Sequence, residues 1–136
     1  MITNVEITEV TEYRDAALLR LTNVQNIVKQ RLGTKYNREL TEEAALLTQT
    51  LNILNYLSPY LYYIRQDAKT LKGFPDIIFC LNSRFVGLEL KDDEGECSAQ
   101  QRKQARKIVA AQGVCVELKT IAQLFKVLFG CFDVII

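Results

Sequence analysis

The sequence predicts an α/β fold in which one sheet packs against helices. Two short apolar segments joined by the turn pair Asn82-Ser83 indicate a β-hairpin, and amphipathic helical segments lie on both sides of it. The predicted order of elements is helix, helix, three strands, helix, strand, helix. With 136 residues, of which 49% are hydrophobic, the chain is long enough to bury a core as a single domain.

The first predicted helix covers residues 8–32, and Gly33 supplies its C-terminal stop. No side chain on it suggests chemistry, so we interpret it as a packing or dimer-forming element. A second helix is expected from Thr41, as its N-cap, to Leu57, because Pro59 cannot continue it. The apolar positions of the first helix follow helical spacing: Tyr13, Ala17, Leu21, Val24, Val28 and Leu32.

Two neighbouring glutamates open the second helix. Glu43 shares the face of the apolar stripe that includes Leu46 and Leu54, so it is expected to point inward. Glu42 aligns with Gln49 on a more polar face. A purely structural interpretation is also open, because carboxylates at a helix N-terminus interact favourably with its dipole by about 0.3–1 kcal/mol each.

Residues 60–65 are rich in strand formers and predict the first strand. We interpret its tyrosines as sheet packing rather than as platforms for stacking nucleobases. The loop that follows carries Lys69 and Lys72. These cations suit contacts with a phosphate backbone, but a solvated loop has the same composition.

The predicted hairpin pairs Ile77–Leu81 with Arg84–Leu90. Leu81 then faces Arg84, and counting back along the ladder brings Asp76 opposite Glu89, with Lys91 on the same face as Glu89. Directly opposed side chains have Cβ atoms about 5 Å apart, where two carboxylates repel each other unless a cation lies between them.

Charged residues also occur at ordinary strand ends and turns, which is the structural alternative for Asp76 and Glu89. Both faces of the hairpin are otherwise apolar, however, and this pattern predicts strands covered on both sides by helices. Carboxylates that lie unpaired in such surroundings are costly, so we favour a metal site over a solvated strand end.

A capping box, Ser98-Ala99-Gln100-Gln101, predicts the start of the next helix, from Ala99 to Gln112. This helix is expected to bury Ala105, Ile108 and Val109. A run of cations on its other face is either a solvated surface or the best candidate in the chain for phosphate contacts: Arg102, Lys103, Arg106 and Lys107. The preceding acidic loop, residues 92–96, would repel DNA unless it swings away or binds an ion.

The C-terminal part predicts a fourth strand, Val114–Leu118, and a last helix from Thr120 to Phe129. The tail Cys131–Ile136 is unusually apolar. We expect the tail and the helix at residues 8–32 to be features that the core does not need, and exposed apolar surface of this kind marks an interface. A homodimer is therefore predicted, with a tail folded back as an edge strand as the alternative.

Bulk properties exclude several other classes of protein. The formal charge is only +1, so nucleic-acid binding requires a local patch. The chain has no His and its four cysteines form no CxxC pair, so we expect neither a zinc site nor a disulfide scaffold, but a reduced intracellular protein. No segment has the length of a membrane helix and no signal peptide opens the chain, so membrane association and secretion are not expected.

Asp76 followed by Glu89-x-Lys91 resembles the signature of the PD-(D/E)XK nuclease superfamily. Gly73-Phe74-Pro75-Asp76, Glu89-Leu90-Lys91 and Ser98-x-x-Gln101 resemble its virus-type replication-repair nuclease (VRR-NUC) branch. The resemblance covers about residues 41–118, which would be the catalytic core. Residues 1–40 would form a helical extension, and residues 119–136 a C-terminal helix and apolar tail.

This resemblance implies an αβββαβ core with a mixed central sheet flanked by helices, here with an extra N-terminal helix. It implies hydrolysis of DNA phosphodiesters with Mg²⁺ or Mn²⁺ and no small-molecule cofactor, often at branched structures such as four-way junctions. Stand-alone members of the family are similar in being small and dimeric. A viral, phage or bacterial protein of the cytoplasm or host-cell interior is expected.

In the family, an acidic residue on the helix before the sheet contributes to the metal site, and Glu43 is the better match by face, with Glu42 still open. Mg²⁺ would then be held by Glu43, Asp76, Glu89 and the backbone carbonyl of Leu90, through the hard oxygen ligands that it prefers. Two further residues complete the predicted catalytic set. Lys91 would position water or neutralise charge, and the resemblance places Gln101 near the active centre.

Two other functions fit the sequence. The first is a non-catalytic nucleic-acid-binding or assembly module that keeps the nuclease fold, and the second is an enzyme that acts on other phosphodiesters, such as RNA. The number of metal ions, one or two, is also open.

Overall fold

The computed structural model of the protein describes residues 4–39, 43–66, 72–91 and 97–136, with side chains from residue 12 and, in the second helix, from residue 44. Helices and strands follow one another in the predicted order. The elements are α1 (Asn4–Leu32), a short 3-10 helix (Gly33–Asn37), α2 (Glu43–Leu57), β1 (Leu61–Arg65), β2 (Ile77–Leu81), β3 (Arg84–Leu90), α3 (Ala99–Ala110), β4 (Val114–Leu118) and α4 (Ile121–Gly130).

The four strands form one mixed sheet in the order β1-β2-β3-β4. The first two pairings are antiparallel, whereas β3 and β4 are parallel. A parallel pair needs a crossover connection, and α3 provides it. The protein is therefore an α/β protein with helices flanking a mixed sheet, as the order of elements predicted.

The predicted hairpin register is confirmed, since Leu81 pairs with Arg84 and Ile77 with Leu88. Asn82 and Ser83 have φ angles of 52° and 65°, as the two central residues of a type I′ turn require. This turn matches the twist of the flanking strands. The length of the loop therefore sets the register of the whole hairpin.

One face of the sheet is largely covered. Its side chains, including Ile77, Phe79, Val86 and Leu88, are buried, and α1, α2 and α4 pack with them into one hydrophobic cluster. The helices contribute their own apolar stripes to this cluster, with Leu21 from α1 among its fully buried members. This face holds the core of the described part of the chain.

The opposite face is only partly covered, so the expectation that both faces of the hairpin are buried is wrong. Among the described residues, α3 is the helix on this side, and its Ile108 packs beside Gly87 and Gly113. The face beyond α3 stays open, with Tyr62 71% and Phe85 41% exposed. A single amphipathic helix is too narrow to cover four strands.

The predicted inner side of α3 needs the same correction. Val109 is 54% exposed, and Ala105 and Ile108 are only half-buried. The apolar stripe of α3 meets the sheet at Ile108, because this helix lies near the β3–β4 side, and no other described element covers its outer face. The helix also ends at Ala110, two residues before the predicted Gln112.

Neither α1 nor the tail is dispensable for the core, which overturns that expectation. Along α1, the apolar stripe from Ala17 to Val28 lies in the core cluster. The tail turns back as an irregular segment rather than as an edge strand, and buries Phe132 to 1% exposure. Arg14 of α1 donates to the Phe132 carbonyl at 3.0 Å, which ties the first helix to the end of the chain.

Several helix and strand boundaries differ by a few residues from the predicted ones. α1 begins at Asn4 rather than residue 8, and β1 begins at Leu61. α4 begins one residue after Thr120, which is its N-cap in a complete capping box with Gln123. Thr41, the predicted N-cap of α2, lies outside the described residues.

Among the helices described, none combines the length and apolar character that crossing a membrane requires.

We expect Leu21→Ala to lower the free energy of unfolding by about 2–5 kcal/mol, because it opens a cavity at a side chain that is 1% exposed. Leu19→Ala is the matched control on the same helix, because its side chain is 64% exposed in the single chain, and it should change the free energy of unfolding of the monomer by less than about 0.5 kcal/mol. Urea denaturation measures both. Equal losses would mean that the outer side of α1 is covered as well.

Candidate active site

Asp76 lies one residue before β2, at the end of the loop that leads into the hairpin. Its backbone carbonyl accepts from the Gln66 N–H at 2.8 Å, which holds this loop against the end of β1. Its side-chain Oδ2 accepts from the Leu90 N–H, also at 2.8 Å. The Asp76 carboxylate thus bonds to β3 just past the point where the β2 backbone stops pairing with it.

Glu89 occupies the neighbouring position on β3. The last recorded pair of the ladder is Ile77 with Leu88, so one further step sets Asp76 opposite Glu89, as predicted. The Glu89 side chain is only 3% exposed. Burial of a carboxylate is costly without compensating donors or cations, so its surroundings must supply them.

Gln101 supplies one such donor. Its Nε2 donates to Glu89 Oε2 at 2.8 Å, while its Oε1 accepts from the Ser98 N–H at 2.8 Å. The Ser98 Oγ in turn accepts from the Gln101 N–H at 3.1 Å, which completes the predicted capping box of α3. One amide side chain therefore joins the start of α3 to the buried carboxylate.

The Gly-Phe-Pro segment before Asp76 is packed too closely for other residues. Gly73 has a φ of +80°, and a Cβ on it would lie 2.4 Å from the backbone carbon of Gln100. Pro75 is buried, and its Cγ would lie 2.7 Å from a Cβ on Gly87. These contacts press the loop that carries Asp76 onto both α3 and β3.

Lys91 follows Glu89 by two residues and is half-buried at the end of β3. Its N–H donates to the Leu118 carbonyl at 2.9 Å, so the backbone is still anchored to β4 here. A residue in a strand directs its N–H and C=O to the same neighbour. Because the Leu90 N–H points to Asp76, the Leu90 carbonyl points to the same side of β3.

A cavity of about 540 Å³ opens between α3 and β4 beside Glu89 and Gln101. Glu117 lines it, and the parallel register pairs Glu117 with Glu89. Lys119 lies 3.7 Å from the Glu117 carboxylate. Alternation along β4 predicts that Cys115 and Glu117 share a face. Which β3 residues they lie beside depends on the parallel register between β3 and β4, which the sequence does not give. Glu117 was therefore not found from the sequence as a neighbour of Glu89.

Two thiols also line this cavity. Burial raises the pKa of Cys115 to about 11, and the Glu89 carboxylate adds to the effect. Burial also raises the pKa of Cys97, the Glu117 carboxylate raises it further, and Lys91 opposes both. Thiols with raised pKa values stay protonated near neutral pH, so neither is an activated nucleophile.

The predicted phosphate-binding cations are largely exposed. Lys72 lies in the turn before the Asp76 loop, and Lys103, Arg106 and Lys107 are exposed on α3. Arg102 differs, because its Nη1 donates to the Cys97 carbonyl at 2.6 Å and its side chain lines the cavity. Lys69 and the acidic loop, residues 92–96, lie outside the described residues.

The described part of the chain contains no group of three or more His, Cys, Asp or Glu side chains placed to hold a metal ion. Glu43 is the first residue of α2, but the structure does not describe its side chain. Glu42 lies outside the described residues. Two hard carboxylates on adjacent strands, Asp76 and Glu89, do fit Mg²⁺, which is usually bound through one or two carboxylates together with water and substrate phosphates.

Comparisons of the chain with protein-family models, with curated proteins and with solved structures give no match. The interpretation of the site therefore rests on the motif and on the contacts described above.

We expect Gly87→Ala to destabilise the protein by about 1–3 kcal/mol, because the new methyl group would meet the stiff Pro75 ring. Gly130→Ala is the matched control, since a Cβ there meets nothing within 4 Å. Thermal unfolding compares the two variants. A Gly87→Ala protein as stable as Gly130→Ala would show that the Asp76 loop is not held against β3.

Proposed function

We propose that the protein is a Mg²⁺- or Mn²⁺-dependent DNA endonuclease of the PD-(D/E)XK superfamily, related to its VRR-NUC branch. The observation that carries the proposal is the buried Glu89 carboxylate, held by Gln101 at the strand position opposite Asp76. Asp76 also has a structural contact with the Leu90 N–H, whereas burial of Glu89 is costly and adds nothing to the pairing of the strands. The pairing of the two carboxylates is understandable if a cation is part of the functional site.

The order of elements supports the same proposal. From α2 onward the chain runs helix, three strands, helix, strand, and the last two strands of the sheet are parallel. This is the arrangement that the αβββαβ core of the superfamily implies. The motif residues would then correspond to those of the family, with Asp76 just before the second strand, Glu89 near the end of the third and Lys91 just after it.

Asp76, Glu89 and the Leu90 carbonyl would hold the metal, with Glu43 at the start of α2 as a proposed third carboxylate. When bound, Mg²⁺ lowers the pKa of a coordinated water and offsets negative charge on the scissile phosphate. The protein's contribution is to fix these oxygens in place. The Leu90 N–H orients Asp76, and Gln101 orients Glu89.

Lys91 and the cations of α3 would act on the substrate. Lys91 lies on the face of Glu89, where its ammonium group can donate to the scissile phosphate or to the attacking water. Exposed cations along α3, with Lys72 and Lys69 from the loop before Asp76, would bind neighbouring phosphates. Arg102 is held at the cavity by the Cys97 carbonyl, so it would reach a phosphate only from the cavity side.

For substrate geometry we propose branched DNA, such as a four-way junction, cut by a homodimer. Both α1 and the tail contribute to the core, so neither is available only as a dimer interface. Among their described side chains, the large apolar ones left exposed are Leu19, Ile27, Ile135 and Ile136. A two-fold axis through such residues would present two sites to two strands.

Cleavage of a four-way junction, a linear duplex and an RNA duplex, each with Mg²⁺ or Mn²⁺ and with EDTA, tests the activity. We expect metal-dependent cleavage that prefers the junction. Asp76→Asn and Glu89→Gln should each lower the rate about 100-fold or more, because metal-assisted charge stabilisation is worth several kcal/mol and 1.36 kcal/mol is tenfold in rate.

Asp133→Asn is the control, since this exposed carboxylate pairs with Arg84 at the other end of the hairpin. Near wild-type turnover in Asp76→Asn would overturn the assignment. Thermal unfolding gives a readout besides activity, because an ion that binds the native state raises its Tm by mass action. A wild-type Tm that rises with Mg²⁺, without any cleavage, would favour the non-catalytic nucleic-acid-binding module.

Gln101→Ala should lower the cleavage rate about 10- to 100-fold, the usual effect of removing a group that orients a metal ligand. Gln123→Ala is the matched control, because Gln123 fills the same capping-box position in α4, away from the carboxylates. Both variants lose a helix cap, but Gln101→Ala also removes a donor to the buried Glu89 carboxylate, so its loss of stability should be the larger of the two. Equal rates in the two variants would limit Gln101 to capping α3.

Static light scattering at micromolar concentration checks the assembly, and we expect the mass of a homodimer. A monomer at that concentration would remove the geometric reason for a junction preference. The cleavage assay would still stand, because each chain carries its own Asp76 and Glu89.

A further inference from the structure

An open apolar face lies beside the carboxylates. It consists of Tyr62, Ile64, Ile78, Cys80 and Phe85, which the register brings together on three strands. Tyr62 is 71% exposed, and Ile64 and Phe85 are each about two-fifths exposed. The neighbouring Tyr63 behaves as sheet packing predicts, since it is half-buried and donates to Asn55. Tyr62 does not.

The apolar face and the candidate active site share one side of the sheet. Side chains alternate along a strand, so Ile78 is on the side of Asp76, and Phe85 on the side of Glu89. At a rise of about 3.3 Å per residue, Ile78 lies about 7 Å from Asp76 along the strand, and Phe85 about 13 Å from Glu89. A nucleotide next to a phosphate at the carboxylates would therefore lie over this face.

The size of the face limits what can occupy it. Its side chains line a shallow cleft of about 200 Å³. That is smaller than the roughly 300–1,000 Å³ of pockets that take drug-sized ligands, but it can accept a planar ring between aromatic walls. A stable dimer buries about 20–30 residues on each side, far more than this face provides, so a second copy of the chain is the weaker candidate.

The surrounding charges also suit a nucleotide. Among the residues that the structure describes, no Asp, Glu, Lys or Arg lines the cleft, and α3 borders it where Ile108 and Phe85 both approach Gly113. The exposed cations of α3 can hold the backbone while a base lies on the apolar side chains. In duplex DNA the bases are stacked inside the helix, so only an unpaired base can reach the face.

We propose that Tyr62 and Phe85 stack against the base of an unpaired nucleotide adjacent to the scissile phosphate. This inference rests on the proposed nuclease function and deepens it, because bases that are unpaired at the branch point would be the feature that the protein selects beside the cut. Stacking on exposed aromatic rings tolerates any base, since every base has a π-face. The face therefore selects strand geometry and not sequence.

Binding of a fluorescently labelled single-stranded oligonucleotide, and of the matched duplex, by anisotropy in EDTA tests the proposal without cleavage. Tyr62→Ala should weaken single-strand binding about 5- to 150-fold, the effect expected for loss of one stacked base, and leave duplex binding unchanged. Tyr62→Phe should keep wild-type affinity for both. Tyr62 is largely exposed, so the variant should fold, and its thermal unfolding checks this.

Unchanged single-strand binding by Tyr62→Ala, or an equal loss on single strand and duplex, would overturn the stacking proposal. So would a change of mass in light scattering of Tyr62→Ala against wild type, which would make the face an interface between copies. Absence of metal-dependent cleavage would overturn the nuclease function instead. It would leave a Tyr62-dependent preference for single strands intact, so the two failures are distinguishable.

Discussion

The structure of the site follows from the burial of one carboxylate. Glu89 lies in the middle of a sheet, below a helix, where a charge is expensive unless nearby groups compensate for it. Its neighbours are arranged accordingly. Gln101 donates to it from the first turn of α3, and that turn is pressed against Gly73. Gly87 leaves the space that Pro75 fills, so the loop with Asp76 can reach β3.

The two faces of the sheet have different roles. On one face, α1, α2 and α4 bury the large aliphatic and aromatic side chains that stabilise the fold. In the described part of the chain the other face carries α3 alone, and the strands beside it keep their apolar side chains accessible. The face that stabilises the fold and the face that we propose for recognition are thereby separated by the thickness of one sheet. Side chains on the open face can change with little effect on the core.

Local signals in the sequence predicted much of this arrangement. The turn pair Asn82-Ser83 determines the hairpin register, and the Ser98–Gln101 box locates the start of α3 within one residue, because both depend on contacts between near neighbours. Contacts between distant segments were not predictable in this way. Periodicity indicates that α1 has an apolar stripe, but not that the stripe packs in the monomer.

The positions of Val109 and Glu117 also depend on contacts between distant segments, and the sequence did not predict them. Val109 continues the apolar stripe of α3 and is exposed, because the width of the cover over the sheet depends on how many helices lie there. Glu117 lies beside Glu89 because the α3 crossover sets the parallel register, and no short-range rule gives that register. The residues of the motif could thus be found in the sequence, whereas the residues that surround it could not.

The double contact of Gln101 has a consequence for which amino acids this position can accept. A capping box works equally well with Gln or Glu as its last residue, because either side-chain oxygen can accept from the Ser98 N–H. Only an amide can accept there and also donate to a carboxylate. Capping of α3 therefore does not discriminate between Gln and Glu, whereas the contact with Glu89 requires Gln. Gln123 caps α4 by accepting from the Lys119 and Thr120 N–H groups, and its described contacts include no carboxylate, so Glu would be acceptable there.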